Sequence, residues 1–340
     1  MASKKRNPIT GLIHVTGEHD TGKTVFALSC GAQPDRIAYF DDDVKGRATV
    51  EQLKRDGFKF GEYIDLAKEF DKLKEVEINT RGVELVNEKI VIGKFDCVVW
   101  DTWTRFGASF FYAVRKQPEK YKDFYAPNSR IKMGEMSKAA MMLEMKIISD
   151  ILDRVPLLIL TTHLRDDYIN DKKTGRQVPD AKRTLEEKSN FRVWLRHNPD
   201  GPEPIGLVLK RPIKLEVTEK GIVPINILPR KMNPCNWERI VKFWNAPVGN
   251  RPLTESEKPN EFEMSILDGV LTQDQKNILR LAILESEQES KNQLLESDDN
   301  VSANDLIEQA KTMLAEGKSA KQIIAELGLK MNDLARAGLI

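Results

Sequence analysis

No stretch of this chain approaches the roughly eighteen consecutive apolar residues that a membrane-spanning helix needs, so the sequence excludes a helical membrane protein. The basic start, Met1-Ala2-Ser3-Lys4-Lys5-Arg6-Asn7-Pro8, has no apolar core behind it and does not read as a signal peptide. Cysteine is scarce. Cys30, Cys97 and Cys235 are scattered, with no zinc-ligand spacing and no disulfide framework. Cys30 and Cys97 fall inside apolar segments and read as small core hydrophobes. A reducing, cytoplasmic compartment is the expectation. Net charge is also nearly absent, at +1, but that figure hides an asymmetry. Between Glu255 and Asn300 there are twelve acidic and four basic residues, a net of −8; residues 301–340 are balanced, so the first 254 carry +9. A basic body with an acidic late segment is one charge layout of proteins that handle nucleic acid.

What is present is ordinary for a globular chain: 31% charged and 40% hydrophobic residues over 340 positions, enough for one to three domains. The segment Gly17-Glu18-His19-Asp20-Thr21-Gly22-Lys23-Thr24 is a complete P-loop. It follows the apolar run Gly11-Leu12-Ile13-His14-Val15-Thr16 and leads into Val25-Phe26-Ala27-Leu28, the strand, loop and helix order that the motif requires. The ligands it implies are ATP, or a related nucleoside triphosphate, and Mg2+. Gly17 and Gly22 let the backbone curl so that the N–H groups from Gly17 to Val25 surround the phosphates. Lys23 reaches the β- and γ-phosphates, and the Thr24 hydroxyl ligates magnesium.

Further along, apolar runs at residues 37–40, 95–100 and 155–160 are separated by helical stretches near residues 48–55 and 133–152. Continuous apolar runs between helices predict a parallel sheet buried on both faces. Residues 60–93 are charged and predict a helix and a small hairpin. After residue 190 the runs at 191–195, 205–209, 213–217 and 222–227, with the turn Asn198-Pro199-Asp200-Gly201-Pro202, predict antiparallel strands that extend the sheet. A short amphipathic helix over 237–244 closes the domain, and Pro247, Gly249 and Pro252 mark a linker.

Val98-Val99-Trp100-Asp101 is an apolar strand ending in an acid, the second part of a P-loop ATPase; Asp101 would hold magnesium through water and accept from Thr24. ATP hydrolysis also needs a group to orient water. Asp41-Asp42-Asp43, at the end of the second strand, is the best source, against the alternative of a solvated acidic turn. Here the chain resembles the RecA-type P-loop ATPases, and within them the RecA-core ATPases of phage recombination modules associated with single-strand annealing. The resemblance covers about residues 9–247, and the stretch Pro229-Arg230-Lys231-Met232-Asn233-Pro234 with Trp237 adds to it.

The resemblance implies an α/β fold: a RecA-like P-loop NTPase core over residues 1–247, mostly parallel with an antiparallel extension. An acidic linker or helical segment over 248–300 and a small helical module over 301–340 would follow. It puts Asp43 at the catalytic carboxylate position, where the family usually has Glu, with Asp42 as a rival. It makes His163, in Thr162-His163, the γ-phosphate sensor. The segment after His163 would be a DNA-binding loop, with Lys172, Lys173, Arg176, Lys182 and Arg183 on phosphates. The segment after Asp101 would be the other, with Arg115, Lys116, Lys120, Lys122, Arg130 and Lys132 among aromatics that suit single strands. Two solvated surface loops are the plainer alternative. Lys210 or Arg211 would reach a neighbouring subunit's γ-phosphate, which implies a homo-oligomer with ATP between subunits. The activity implied is ATP-dependent binding of single-stranded DNA in recombination, repair or annealing, in a bacterial host cell if the chain is phage-encoded.

Residues 304–337 read as three short helices, with Ile323, Leu327, Leu329 and Leu334 at helix-turn-helix spacing but Ile324 where that motif prefers a small residue. A protein-interaction module fits them better. This leaves a rival reading of the whole chain, an ATP-switched loader or adaptor that recruits a helicase, nuclease or recombinase. A small-molecule kinase is disfavoured, because nothing resembles a lid or a substrate-phosphate clamp.

Overall fold

The structure is a computed structural model that describes residues 9–43, 47–124, 133–169, 172–180, 183–218, 221–226, 228–245 and 257–268, with isolated positions at 254, 280–281, 283–284, 311–313, 315, 318 and 322. The strands are β1 (Gly11–Gly17), β2 (Ile37–Asp41), β3 (Glu62–Asp65), β4 (Cys97–Asp101), β5 (Leu157–Thr162), β6 (Leu164–Ile169), β7 (Lys172–Pro179), β8 (Phe191–Arg196), β9 (Ile205–Lys210), β10 (Ile213–Thr218), β11 (Gly221–Asn226) and β12 (Lys231–Met232). The helices are α1 (Lys23–Leu28), α2 (Arg47–Arg55), α3 (Leu66–Phe70), α4 (Glu75–Lys89), α5 (Trp103–Lys116), α6 (Met133–Leu152), α7 (Arg183–Lys188), α8 (Trp237–Asn245) and α9 (Glu261–Asp268).

Eight strands form one sheet in the order β12-β9-β8-β1-β5-β4-β2-β3. The six from β8 to β3 run parallel, and β9 and β12 extend the sheet antiparallel. This is an α/β core, mostly parallel with an antiparallel extension, and β5 is inserted between the P-loop strand and the strand of Asp101. The central strands read as unbroken apolar runs because helices cover both faces, and side chains alternate between two cores. Ile13, Val15, Tyr39, Val99, Ile159 and Val193 pack with residues of α1, α2 and α8. Leu12, Phe40, Trp100, Leu158 and Leu160 pack with residues of α3 to α6. On α5, Trp103, Phe106, Phe110 and Val114 recur at helical spacing and are buried. The rings of Phe40, Trp100 and Phe106 stack at 4.6 and 4.5 Å, each such side chain contributing about 1.5–3 kcal/mol by burial.

Three expectations change. Residues 60–93 hold an edge strand, β3, parallel to β2, and the helices α3 and α4, with no hairpin among them. The first strand after residue 190, β8, is parallel to β1, so only β9 and β12 make the antiparallel extension. The strands β10 and β11 leave the sheet and pair as a separate ribbon, as do β6 and β7.

Contacts divide the chain into two units: Met1–Asn250 with Glu255–Leu271, and Arg251–Thr254 with Thr272–Ile340. Within the first unit the segment 257–268 is fastened by buried charge. Glu263, 1% exposed, pairs with Arg196 at 3.1 Å and Lys231 at 2.9 Å. Glu257 pairs with Arg239 at 2.9 Å. The N-terminus of α9 is closed by a reciprocal cap, Asn260 N–H to Glu263 and Glu263 N–H to Asn260. Of the second unit, the described positions 280, 281, 283, 284, 311–313, 315 and 322 are helical. The three-helix expectation for residues 304–337 otherwise lies outside the described residues. Among the described residues no helix is long and apolar enough to cross a membrane.

Because six strands are parallel, their C-terminal ends share one edge. That edge gathers Gly17 of β1, the acids after β2, Asp101 of β4, His163 after β5 and Arg196 of β8.

Candidate active site

The P-loop is shaped by two close constraints. A Cβ on Gly17 would meet the Leu195 carbonyl oxygen at 2.4 Å and Thr21 Oγ1 at 2.8 Å, so only glycine fits where β1 passes β8. Asp20 (φ 59°) and Gly22 (φ 77°) then turn the chain through the left-handed region. The Thr21 hydroxyl donates to the Glu18 carbonyl at 2.9 Å. Helix α1 starts at Lys23 with no side-chain cap, which leaves its first-turn N–H groups open to an anion. From the other side the Trp237 indole N–H donates to the Phe26 carbonyl and the two rings lie 5.1 Å apart, fixing α1 against α8.

Lys23 is buried and donates to the Gly17 carbonyl at 3.1 Å and to that of Glu18. Burial lowers its pKa, opposed by Asp101, Asp43, Asp20 and Glu18. Phosphate oxygens offer the ammonium stronger acceptors than loop carbonyls do. Asp101 is 0% exposed and accepts from Thr24 Oγ1 at 2.6 Å, Tyr39 OH at 3.1 Å and the Thr161 hydroxyl. Three hydroxyl donors hold this buried carboxylate, and its charge in turn favours the Lys23 ammonium. Burial first, then Asp101, pushes the Tyr39 phenol well above its usual range, so it stays a donor. Among the described residues no group of three or more His, Cys, Asp or Glu side chains could cage a metal. Thr24 beside Asp101 instead fits magnesium, which is bound through few protein oxygens, phosphates and water.

The three acids after β2 have three environments. Asp41 accepts from Tyr63 OH at 2.8 Å, and burial raises its pKa to about 6. Asp42 has a side chain 2% exposed, with Arg105 at 3.4 Å; burial raises it too to about 6, against the pull of Arg105. The charge of Asp43 acts on both Lys23 and His163, and its backbone N–H donates to Asp41 Oδ1 at 3.2 Å. His163 stacks obliquely on His19 of the P-loop, with centroids 4.7 Å apart. Burial and then Lys23 lower its pKa, which keeps the ring neutral. Its backbone N–H donates to Thr104 Oγ1 at 3.3 Å, and its carbonyl accepts from Asp180 N–H at 2.8 Å.

A cavity of about 420 Å³ opens beside the P-loop, between Gly22, Val25 and Ser29 on one side and Pro202, Pro204 and Trp237 on the other. It is large enough for the nucleoside part of a triphosphate.

Other expected site residues are not brought here. Lys210 stands opposite Arg192, whose own partner on β1 is His14. That is three residues before Gly17, or about 10 Å of strand. Lys210 donates to the Glu187 carbonyl, and the half-buried Arg211 beyond it sits next to Arg230, itself held down to about 10 by burial and Arg211. Neither reaches its own P-loop, so either could act only on a neighbouring chain.

No loop separates Asp101 from α5. Arg115 and Lys116 occupy the last turn of α5, and Lys120 and Lys122 the 3-10 turns at Pro118–Phe124, all exposed. Arg115 and Lys116 lie about 20 Å along the helix from Trp103, because its aromatic stripe drives this segment into a core helix. Nearby Tyr121 packs against that core. Arg130, Lys132 and Lys182 lie outside the described residues. The segment after His163 is the antiparallel β6–β7 hairpin, with Lys172, Lys173 and Arg176 on β7 and Arg183 opening α7; of these, only Lys173 has a described side chain. Lys173 pairs with Asp166 at 2.6 Å and Arg165 with Asp180 at 3.6 Å, so acids of the hairpin answer part of its positive charge.

Tyr39, Tyr63, Thr104, Arg105 and Thr161 were invisible as site residues from sequence. A tyrosine two positions before a strand-end acid is a usable signal for Tyr39. The others depend on which strands and helices become neighbours.

No family model matches the chain, and no curated protein does. Solved structures similar to it include the RadB recombinase, at 17% identity over 62% of this chain and 89% of that one, with a TM-score of 0.36. A KaiC-like protein of Pyrococcus horikoshii OT3 has 15% identity over 63% and 89%, with a TM-score of 0.33. The flagellar accessory protein FlaH of Methanocaldococcus jannaschii has 14% identity over 63% and 89%, with a TM-score of 0.31.

Proposed function

We propose that this chain is an ATPase of the RecA superfamily that binds single-stranded DNA in an ATP-dependent way, as a homo-oligomer, in phage-type recombination, repair or annealing. The observation that carries the reading is the cluster Lys23, Thr24, Asp101 and His163 at one sheet edge, with the His163 backbone bonded directly to the root of the β6–β7 hairpin. Lys23 and the loop N–H groups hold the phosphates. Thr24 and Asp101 would hold Mg2+, which would neutralise phosphate charge. Asp43 orients the attacking water, while Asp42 is turned to Arg105. His163 donates to the γ-phosphate and passes its position to the hairpin, where Lys172, Lys173 and Arg176, with Lys182 and Arg183 beyond, take DNA phosphates. Lys210 or Arg211 completes the site of the next subunit. Arg115 and Lys116 in the last turn of α5, and Lys120 and Lys122 in the turns after it, would offer further exposed cations to DNA phosphates.

The test is Lys23→Ala, assayed for phosphate release and for oligonucleotide affinity with and without a non-hydrolysable ATP analogue. Hydrolysis is expected to fall to background and the ATP-dependent part of the affinity to vanish. ATP-stimulated DNA binding that survives in this variant would sink the coupling.

A further inference from the structure

A second cavity, of about 350 Å³, lies between α5, α6 and the root of the β6–β7 hairpin. Its floor is Trp103 and Glu144, each 1% exposed, with the indole N–H donating to Glu144 Oε1 at 2.7 Å. Phe111 and Met141 form apolar walls, and the exposed Arg165 and Asp180 form the rim. We propose that this cavity receives one extruded base of bound single-stranded DNA, and that its occupancy is coupled to the nucleotide site through His163. The inference rests on the DNA-binding reading above and deepens it.

The chemistry of the lining selects the ligand. Two carboxylates, Glu144 and Asp180, stand against one guanidinium, Arg165, so a phosphate would be repelled. Aromatic and thioether walls suit a flat, neutral ring, which stacks on such surfaces with little regard to sequence. The carboxylates of floor and rim favour an exocyclic amino group, so adenine, cytosine and guanine fit better than thymine, whose one N–H lies between two carbonyls. The volume falls within the range of small-ligand pockets, roughly 300–1,000 Å³. The mouth opens at the root of the hairpin, where the chain of a bound strand would pass.

The coupling is a matter of two hydrogen bonds. Thr104 lines the cavity and accepts from the His163 N–H; Asp180 lines it and donates from its own N–H to the His163 carbonyl. The His163 backbone is therefore held on both sides by residues that a bound base would touch. Its ring meanwhile rests on His19 of the P-loop. A base that fixes Thr104 and Asp180 fixes the sensor, and by reciprocity a γ-phosphate that fixes the sensor shapes the cavity.

The experiment uses the full chain and a cytosine-rich oligonucleotide carrying one 2-aminopurine. With the wild type and a non-hydrolysable ATP analogue, the probe fluorescence is expected to fall at least threefold. The variant Ala108→Leu/Ser137→Leu fills the cavity from two lining positions outside the catalytic cluster. It is expected to keep basal ATPase and thermal stability, to lose the quench, and to lose at least fivefold of the DNA stimulation of hydrolysis. Phe111→Leu, which removes the stacking ring alone, should lose most of the quench. A quench and stimulation unchanged in both variants would overturn this inference while leaving DNA binding intact. Failure of the wild type to bind any oligonucleotide would instead overturn the DNA reading, and this one with it.

Discussion

Asp41, Asp42 and Asp43 are chemically identical and differ only in what surrounds them, which makes them the sharpest test of the site. Asp43 acts on Lys23 and His163, whereas Asp42 is buried beside Arg105 and raised to about 6. Asp43→Asn should therefore lower hydrolysis by about 100-fold, in the range of a lost water-orienting base, with ATP affinity kept; equal loss in Asp42→Asn would remove the distinction. Asp42 carries a second consequence. Its folded pKa lies above the usual 3.8, so the stability it contributes is complete below that pH and is lost as pH rises through about 6. Asp42→Asn should raise the unfolding free energy at pH 8 by on the order of 1–2 kcal/mol, and leave it nearly unmoved at pH 4. His14 behaves oppositely. It is fully buried, bonded to Thr162 Oγ1 at 2.8 Å, and lowered to about 3 by burial and Arg192. Its contribution is complete above pH 6.5 and is lost as pH falls towards 3, at about 1.4 kcal/mol per pH unit. The deficit of His14→Gln relative to wild type should shrink between pH 7 and pH 5; a constant deficit would show that His14 does not titrate with unfolding.

At the scale of elements, the hairpin and α5 show how one family expectation divides. The family resemblance implies a basic loop at each, after a strand-end site residue. The first begins with Trp103, Phe106, Phe110 and Val114 at helical spacing, so burial claims it and its cations end up at the far end of a helix. The second has no apolar stripe, and it pairs back on itself with Ile169 opposite Lys172, Gly175 at φ 76° falling inside β7 where the register shifts. Neutralising Lys172, Lys173, Lys182 and Arg183 together should reduce the slope of log affinity against log salt by about 2–4, and Arg115→Ala/Lys116→Ala should reduce it by less; the reverse pattern would move the main DNA contacts to α5. The strands and the P-loop were legible because each is written locally, in apolar runs or in a fixed spacing. What was not legible is partnership between distant segments. Nothing near Thr161 or Tyr39 says that both will reach Asp101, since that depends on β5 and β2 flanking β4. Likewise the charged stretch at 60–93 gives no sign that four residues of it add a parallel edge strand.

For the molecule as a whole, the uneven charge of the chain has a structural use within the first unit. The acidic stretch after residue 254 is not wholly a solvated tail. Glu257 and Glu263, at 1% exposure, answer Arg239, Arg196 and Lys231 on the core, and Lys231 also donates to the Lys258 carbonyl at 3.1 Å. A count of charges could show that the segment complements the body, but not that Glu257 and Glu263, 25 and 31 residues beyond Met232 of β12, would be drawn inside. Arg196 follows Leu195, whose carbonyl crowds Gly17, so the same pairs brace the strand end against which the P-loop rests. Removing one partner of a buried pair leaves an uncompensated charge, at a cost of about 3–5 kcal/mol. A chain ending at residue 247 would leave three such cations without their carboxylates. It should melt about 5–15 °C below the full chain, given about 2–4 °C per kcal/mol at this size. A chain ending at residue 271 keeps every one of these pairs and should melt with the full chain. If instead both truncations melt alike, the segment 257–268 is not part of the folded core. If only the shorter chain also loses nucleotide affinity, the brace reaches the P-loop as its geometry requires.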